Sequence, residues 1–379
     1  MRILFFGNSL AGHLLPLLPL ARAFRERGDS VAVCTAAPAS LLFDSEGVEF
    51  LSVGPTPDVI VAEVLRTTGH DLSQGATVET EAEYFAGARI DLTVDEALAM
   101  ARDWRPDLIV AEQADFVGPL VGAILDVPVA SLAYGPAWQS ESVEPLATRL
   151  RSRYGARGLV NGPPRWYLDT CPPALQHPDW EVPEGRIGLR PEAHRNPGQE
   201  PAATPGRDAA RPCVLVSFGM FVNMPEIVGP LLAELGQLDV DVLVTRHRFS
   251  PDDFGVDADA AGRVEFVEFT PLAELLQGVD AVLTHGGAGT VLGALSRGIP
   301  MVMVPHGAGQ PALGERVAAA GAGISFPLHE APAKAVAESV ARVLADAAYR
   351  ERAEKIATQI AGLSSPADVA EHLASALAR

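Results

Sequence analysis

The 379-residue chain is 48% hydrophobic with a mean hydropathy of +0.15, enough for a sizeable core and a length that favours two domains over one. Its net charge of −19 and pI near 4.8 argue against nucleic acid or an anionic membrane surface as a partner. There is no apolar run of the roughly 18 residues a spanning helix needs, and Cys34, Cys171 and Cys213 lack metal-ligand spacing, as for buried thiols in the cytoplasm.

The apolar run Arg2 to Phe6 reads as a buried strand, too brief for a signal peptide. A loop, Gly7-Asn8-Ser9-Leu10-Ala11-Gly12, leads into a long amphipathic helix expected to run to about Arg27. Gly28-Asp29 ends it, and Val31 to Cys34 forms the next strand, completing a parallel strand–helix–strand unit. Residues 55–100 read as polar and irregular, and a loop that long in a compact domain is usually functional. Pro106 to Ala111 and Val127 to Leu132 read as strands around a helix from Phe116 to Leu125.

From 191 to 212 the chain turns Pro/Gly-rich and aperiodic, as in an interdomain linker. A second α/β pattern follows. Its strands are Val214 to Phe218, Asp241 to Val244, Val264 to Val267, Ala281 to Leu283 and Met301 to Val304. The domains are thus 1–200 and 211–360, with a helix at about 360–379 able to return to the first. Ligands of such open parallel sheets bind at the carboxyl ends of the strands.

Candidate functional residues cluster at those ends. His13 follows the first strand, where an imidazole could accept a proton from an alcohol or merely bond the turn. Glu112 follows another strand and could orient it, as could Asp115 or Gln113; the alternative is a solvated loop acid. Thr284-His285-Gly286-Gly287-Ala288-Gly289-Thr290 joins a strand to a helix. Its free N–H groups and the helix dipole make an anion site, with glycines that let backbone approach a phosphate. Ser217 and the Gly219 backbone end the first strand of the second half and could also meet a phosphate. Phe269 could stack on a nucleobase or simply fill a core next to Leu272. Gln310 could bond sugar hydroxyls; His306 fits better as a satisfied loop residue.

Taken together, Gly12-His13, Ser217-Phe218-Gly219, Phe269-Thr270-Pro271-Leu272, His285 to Thr290 and Gln310 resemble family 1 glycosyltransferases of the GT-B fold. The likeness is to the bacterial macrolide and enediyne antibiotic enzymes and spans nearly the whole chain. Val282 to Gly287 and Gly314-Glu315-Arg316-Val317-Ala318 are family phrases. The resemblance implies two Rossmann-like doubly wound domains facing across a cleft, and an inverting, metal-independent transfer from a nucleotide sugar. It assigns His13 as general base, and Glu112, in a Glu112-Gln113 phrase that also looks like the enediyne branch, is the candidate acid to orient it. Ser217, Gly219, His285, Gly287, Ala288, Gly289 and Thr290 would hold the diphosphate, Phe269 and Leu272 the base, and Gln310 the sugar.

Departures from the family pattern refine this. Gly293 stands where uridine-diphosphate users carry a Glu for the ribose hydroxyls, which favours a dTDP-sugar. Gly309 replaces the acid before Gln310, which suits a deoxysugar. Ser9, Gly12, Tyr134 and Trp138 would line a site for a lipophilic aglycone. No cofactor beyond the donor is implied, and the protein is expected to be a monomer or homodimer. The rival readings are a nucleotide-sugar 2-epimerase and a catalytically silent homologue acting as a partner.

Overall fold

The computed structural model describes residues 1–72, 75–138, 140–197, 211–246, 249–256, 263–268, 270–328 and 330–378, apart from the side chains of 140–142, 220 and 221. Phe269 and most of the 191–212 linker lie outside the described residues. The chain divides into two units. Unit 1 comprises Met1–Thr170, Pro178–Arg190 and Leu363–Arg379; unit 2 comprises Cys171–His177 and Pro191–Gly362.

Among the described residues, unit 1 holds a seven-stranded parallel sheet in the order β3-β2-β1-β4-β5-β6-β7. Its strands are β1 (Arg2–Phe6), β2 (Ser30–Thr35), β3 (Glu49–Ser52), β4 (Leu108–Glu112), β5 (Val129–Ala133), β6 (Trp166–Asp169) and β7 (Arg186–Gly188). Successive residues of β1 point to opposite faces. Ile3 and Phe5 join a core with Phe24 and Leu373, while Leu4 and Phe6 join one with Ile90 and Val121. Leu373 belongs to the helix Pro366–Leu377, so the end of the chain packs against β1.

Unit 2 repeats the design with a six-stranded parallel sheet, β10-β9-β8-β11-β12-β13. These are β8 (Cys213–Ser217), β9 (Asp241–Thr245), β10 (Val264–Val267), β11 (Ala281–Thr284), β12 (Met301–Met303) and β13 (Gly323–Ser325). In each sheet the strand order reverses beside the first strand, between β1 and β4 and between β8 and β11. Chain direction diverges there and leaves a crevice at the carboxyl ends.

Two expectations are corrected. The stretch 55–100 is largely helical, with Pro57–Thr68, Val78–Glu83, a π-helical turn Tyr84–Ala88 and Arg89–Trp104. Pro57 begins the first of these at a position that needs no N–H, and Thr77 and Thr80 form a reciprocal cap for the second. The helix before Arg27 is not continuous. It runs as Ala11–Leu14, a 3-10 turn Leu15–Leu17, and Leu18–Glu26. Pro16 and Pro19 lack the N–H that an unbroken ladder requires.

No helix among the described residues is long and apolar enough to cross a membrane.

Candidate active site

Parallel pairing of Phe6 with Ala111 brings the segments after β1 and β4 out side by side. Glu112, the last residue of β4, therefore meets Gly7-Asn8 and the short helix Ala11–Leu14 that carries His13. His13 Nδ1 lies 2.9 Å from Glu112 Oε1. The carboxylate is fully buried and the imidazole 17% exposed. Oε1 also accepts from Asn8 Nδ2 at 2.5 Å and from Asn8 N at 3.3 Å, while Oε2 accepts from Ala114 N at 2.6 Å. Burial by itself raises the Glu112 carboxyl. The facing His13 imidazole, then the Ala114 N–H and Asn8, outweigh burial and leave it below the ordinary Glu range. An ionised carboxylate at Nδ1 takes the ring's N–H there and leaves Nε2 with a lone pair. Nε2 makes no hydrogen bond within the described residues.

Behind Glu112 lies a second buried pair. Arg89, 1% exposed, donates through Nη2 to Asp115 Oδ2 at 3.1 Å and to the Gly7 carbonyl at 3.0 Å. Asp115 Oδ1 accepts from Gly118 N at 2.8 Å and so caps the helix Val117–Leu125. Burial pushes the Asp115 carboxyl up, Arg89 pulls it down, and the Glu112 charge adds to the rise. Arg89 therefore ties β1, the end of β4 and its own helix together. The sequence carried no signal for it, because it falls in a stretch read as irregular. Asn8 could have been found from its place two residues after a buried strand.

Of the expected acceptor residues, Tyr134 touches the imidazole itself. Its hydroxyl is 3.1 Å from His13 Nδ1, and the rings meet edge to face at 5.2 Å. Phe85, from the π-helical turn, lies 5.7 Å from the His13 ring at 30°. Ser9 Oγ reaches the Ala36 carbonyl at 3.5 Å. Gly12 is exposed within Ala11–Leu14. Trp138 packs instead on Phe116, ring centroids 6.1 Å apart.

In unit 2 the pairing of Thr284 with Ser217 aligns the ends of β11 and β8. His285 Nδ1 lies 3.4 Å from both the Ser217 carbonyl and Thr284 Oγ1. Burial lowers the imidazole to about 4, with the Ser217 carbonyl opposing and His306 adding to the shift, so the ring is neutral near pH 7. Close approach explains the glycines. A Cβ on Gly287 would stand 2.9 Å from His285 Nε2, and Gly219, at φ +62°, would place one 3.0 Å from His285 Cε1. Gly287 precedes the helix Ala288–Leu295, whose N-terminus no side chain caps. The first-turn N–H groups of Ala288, Gly289 and Thr290 thus form a concentrated donor set. Gln310 begins the helix Gln310–Ala319, and its Oε1 accepts from His306 N at 2.8 Å, which leaves the amide NH2 for a ligand. Leu272 opens the helix Leu272–Leu275 and faces Gly293, where a Cβ would meet Leu272 Cδ2 at 2.8 Å.

Comparison with known proteins agrees across the chain. Residues 22–184 match the N-terminal domain, and residues 230–376 the C-terminal domain, of the erythromycin biosynthesis protein CIII-like family. The elloramycin glycosyltransferase ElmGT of Streptomyces olivaceus is 29% identical, covering 99% of this chain and 97% of its own. The 3-alpha-mycarosylerythronolide B desosaminyl transferase of Saccharopolyspora erythraea is 26% identical over 97% and 96%. Among solved structures, the glycosyltransferase SsfS6 of Streptomyces sp. SF2575, complexed with thymidine diphosphate, superposes with a TM-score of 0.81 at 25% identity, covering 99% of both chains. The glycosyltransferase SnogD of Streptomyces nogalater gives 0.77 at 28% identity over 99% of both.

Proposed function

Because the chain belongs to the erythromycin biosynthesis protein CIII-like family of antibiotic glycosyltransferases with the GT-B fold, we propose that it moves a deoxysugar from a thymidine diphosphate donor to a hydroxyl of a lipophilic natural-product aglycone. His13 Nε2 takes the acceptor hydroxyl proton. The acceptor oxygen forms a bond to the anomeric carbon as the carbon–oxygen bond to the diphosphate breaks, and thymidine diphosphate departs with the electron pair. Attack opposite the leaving group inverts the anomeric centre. The observation that carries this reading is the 2.9 Å contact between His13 and a fully buried, ionised Glu112. That contact holds the imidazole in the tautomer a general base requires, and Glu112 stabilises the imidazolium that forms.

Negative charge grows on the diphosphate as the bond breaks. The uncapped N-terminus of Ala288–Leu295, with open space beside Gly289, supports these N–H groups as the ones that receive it. Preorganised donors aimed where charge develops are the largest catalytic term in such a site, and this donor set supports a transfer that needs no metal. The thymidine preference rests on Gly293, together with the thymidine diphosphate bound to SsfS6. The lipophilic acceptor is supported by the ring surface of Phe85 and of the Phe116–Trp138 pair in unit 1. The buried free thiols of Cys34, Cys171 and Cys213 suit a reducing cytoplasm.

The test is a panel of dTDP- and UDP-sugars offered with hydroxylated polyketide aglycones in the presence and absence of EDTA. The proposal expects product only with a dTDP-deoxysugar, unchanged rate in EDTA, and an anomeric configuration opposite to that of the donor. Retention of configuration would contradict it.

A further inference from the structure

Tyr134 has a place in unit 1 that an aglycone-binding residue does not need. Its hydroxyl contacts the same imidazole nitrogen as Glu112: His13 Nδ1 is 2.9 Å from Glu112 Oε1 and 3.1 Å from Tyr134 Oη. Its ring stands edge-on to the imidazole, while Phe85 covers the ring at 30°. From this geometry we infer that Tyr134 is a positioning residue for the base: it holds His13 by Nδ1 and leaves Nε2 for the acceptor.

The proton count decides between the two ways the contact can run. If the Tyr134 hydroxyl donated to Nδ1, the ring proton would sit on Nε2, and a carboxylate would face a lone pair at 2.9 Å. With Glu112 ionised, Nδ1 carries the proton and shares it between Oε1 and Oη. Both oxygens then stabilise the Nδ1–H tautomer, and both remain acceptors when Nε2 is protonated during the reaction. Tyr134 follows β5, Glu112 ends β4 and Phe85 comes from the π-helical turn, so three separate elements fix one ring. A π turn, which adds a residue to a helical course, recurs at functional sites. The charged and titratable groups around the imidazole are Glu112 and Tyr134 in contact, with Glu81 and the Arg89–Asp115 pair behind them.

This inference rests on His13 acting as the base. Tyr134→Phe keeps the ring and removes only the oxygen. It should lower kcat about tenfold with acceptor KM changed less than about twofold. The acidic limb of the rate profile should move to lower pH, because an acceptor of the imidazolium proton is gone. Nitrogen-15 shifts of labelled histidine should show His13 as the Nδ1–H tautomer in both proteins, because Glu112 remains, with the Nδ1 resonance moved in the variant by the lost Tyr134 contact. A raised acceptor KM with unchanged kcat would make Tyr134 an aglycone contact and overturn the inference, as would unchanged kcat with an unchanged Nδ1 resonance. His13→Ala separates the levels. If it turns over at the parent rate, the reading of the base fails; if it is inactive while Tyr134→Phe is unaffected, only the inference about Tyr134 fails.

Discussion

His13 and Glu112, 99 positions apart in sequence, meet at 2.9 Å at the carboxyl end of a parallel sheet, and the carboxylate has no solvent exposure. Nothing local in either segment dictates that contact. It follows from β1 and β4 being neighbours in the sheet, so that the residues leaving the two strands share one crevice.

Glu112→Gln keeps the shape and removes the charge. With the amide oxygen on Ala114 N, the amide NH2 takes the place of Oε1, loses the Asn8 contacts, and could donate to Nδ1 and favour the unproductive tautomer. Turnover should fall by roughly 10² or more while donor affinity stays within about twofold, read from initial rates and calorimetry. A loss smaller than about threefold would mean that Glu112 only holds the fold.

Arg89 predicts a stability effect. Its side chain is 2% exposed and that of Asp115 is not exposed at all, so Arg89→Met strands a buried carboxylate. The cost should be about 3–5 kcal/mol. Arg89 Nε and Nη1 find no partner among the described residues, so the native pair is itself only partly compensated. The double variant Arg89→Met, Asp115→Leu should therefore recover much of the loss, less about 1 kcal/mol for the missing helix cap. Urea midpoints check this, and a double variant no more stable than the single one would contradict it.

His285 gives the unliganded protein a pH dependence of known sign. Its folded pKa is about 4, against 6.5 for the unperturbed ring. Between those values the unfolded chain binds the extra proton. Stability contributed by the neutral ring is complete above about pH 6.5 and falls as pH drops toward 4, by about 3 kcal/mol in all. His285→Asn should flatten melting temperature over that window relative to the parent. An equal slope in both proteins would assign the effect to other groups.

Gly293 stands at a close contact as well as at the proposed ribose position. A Cβ there would meet Leu272 Cδ2 at 2.8 Å and Ala193 Cβ at 3.4 Å. The parent should bind thymidine diphosphate more tightly than uridine diphosphate. Gly293→Glu should narrow or reverse that order, with a stability loss of about 1–3 kcal/mol from overpacking. Equal affinities in the parent would remove Gly293 from the account of donor choice.

Strands were the most legible elements. Arg2 to Phe6 and Val264 to Val267 were read with the bounds they have: after Arg2 the first is an apolar run buried on both faces, and the second, an edge strand, keeps Val264, Phe266 and Val267 around an exposed Glu265. Helices with narrow apolar stripes were not. Pro57–Thr68 buries only Ile60 and Val64, and the turn before Arg89 contains Gly87, so 55–100 lacked a clear period. Strands β6 and β7 went unread because Trp166–Asp169 and Arg186–Gly188 are short and sit among prolines and charges. At the site, His13, Glu112 and His285 stood out because each follows an apolar run. Tyr134's contact with the base and Arg89's support from behind depend on long-range packing that spacing does not encode.

Loss of transfer with preserved donor binding in His13→Ala tests the account most directly. With a dTDP-sugar and a competent aglycone, turnover should drop by about 10²–10⁴, while thymidine diphosphate binds within about twofold of the parent. Transfer at the parent rate by His13→Ala would contradict the assignment of the base and, with it, the function proposed for the His13–Glu112 pair.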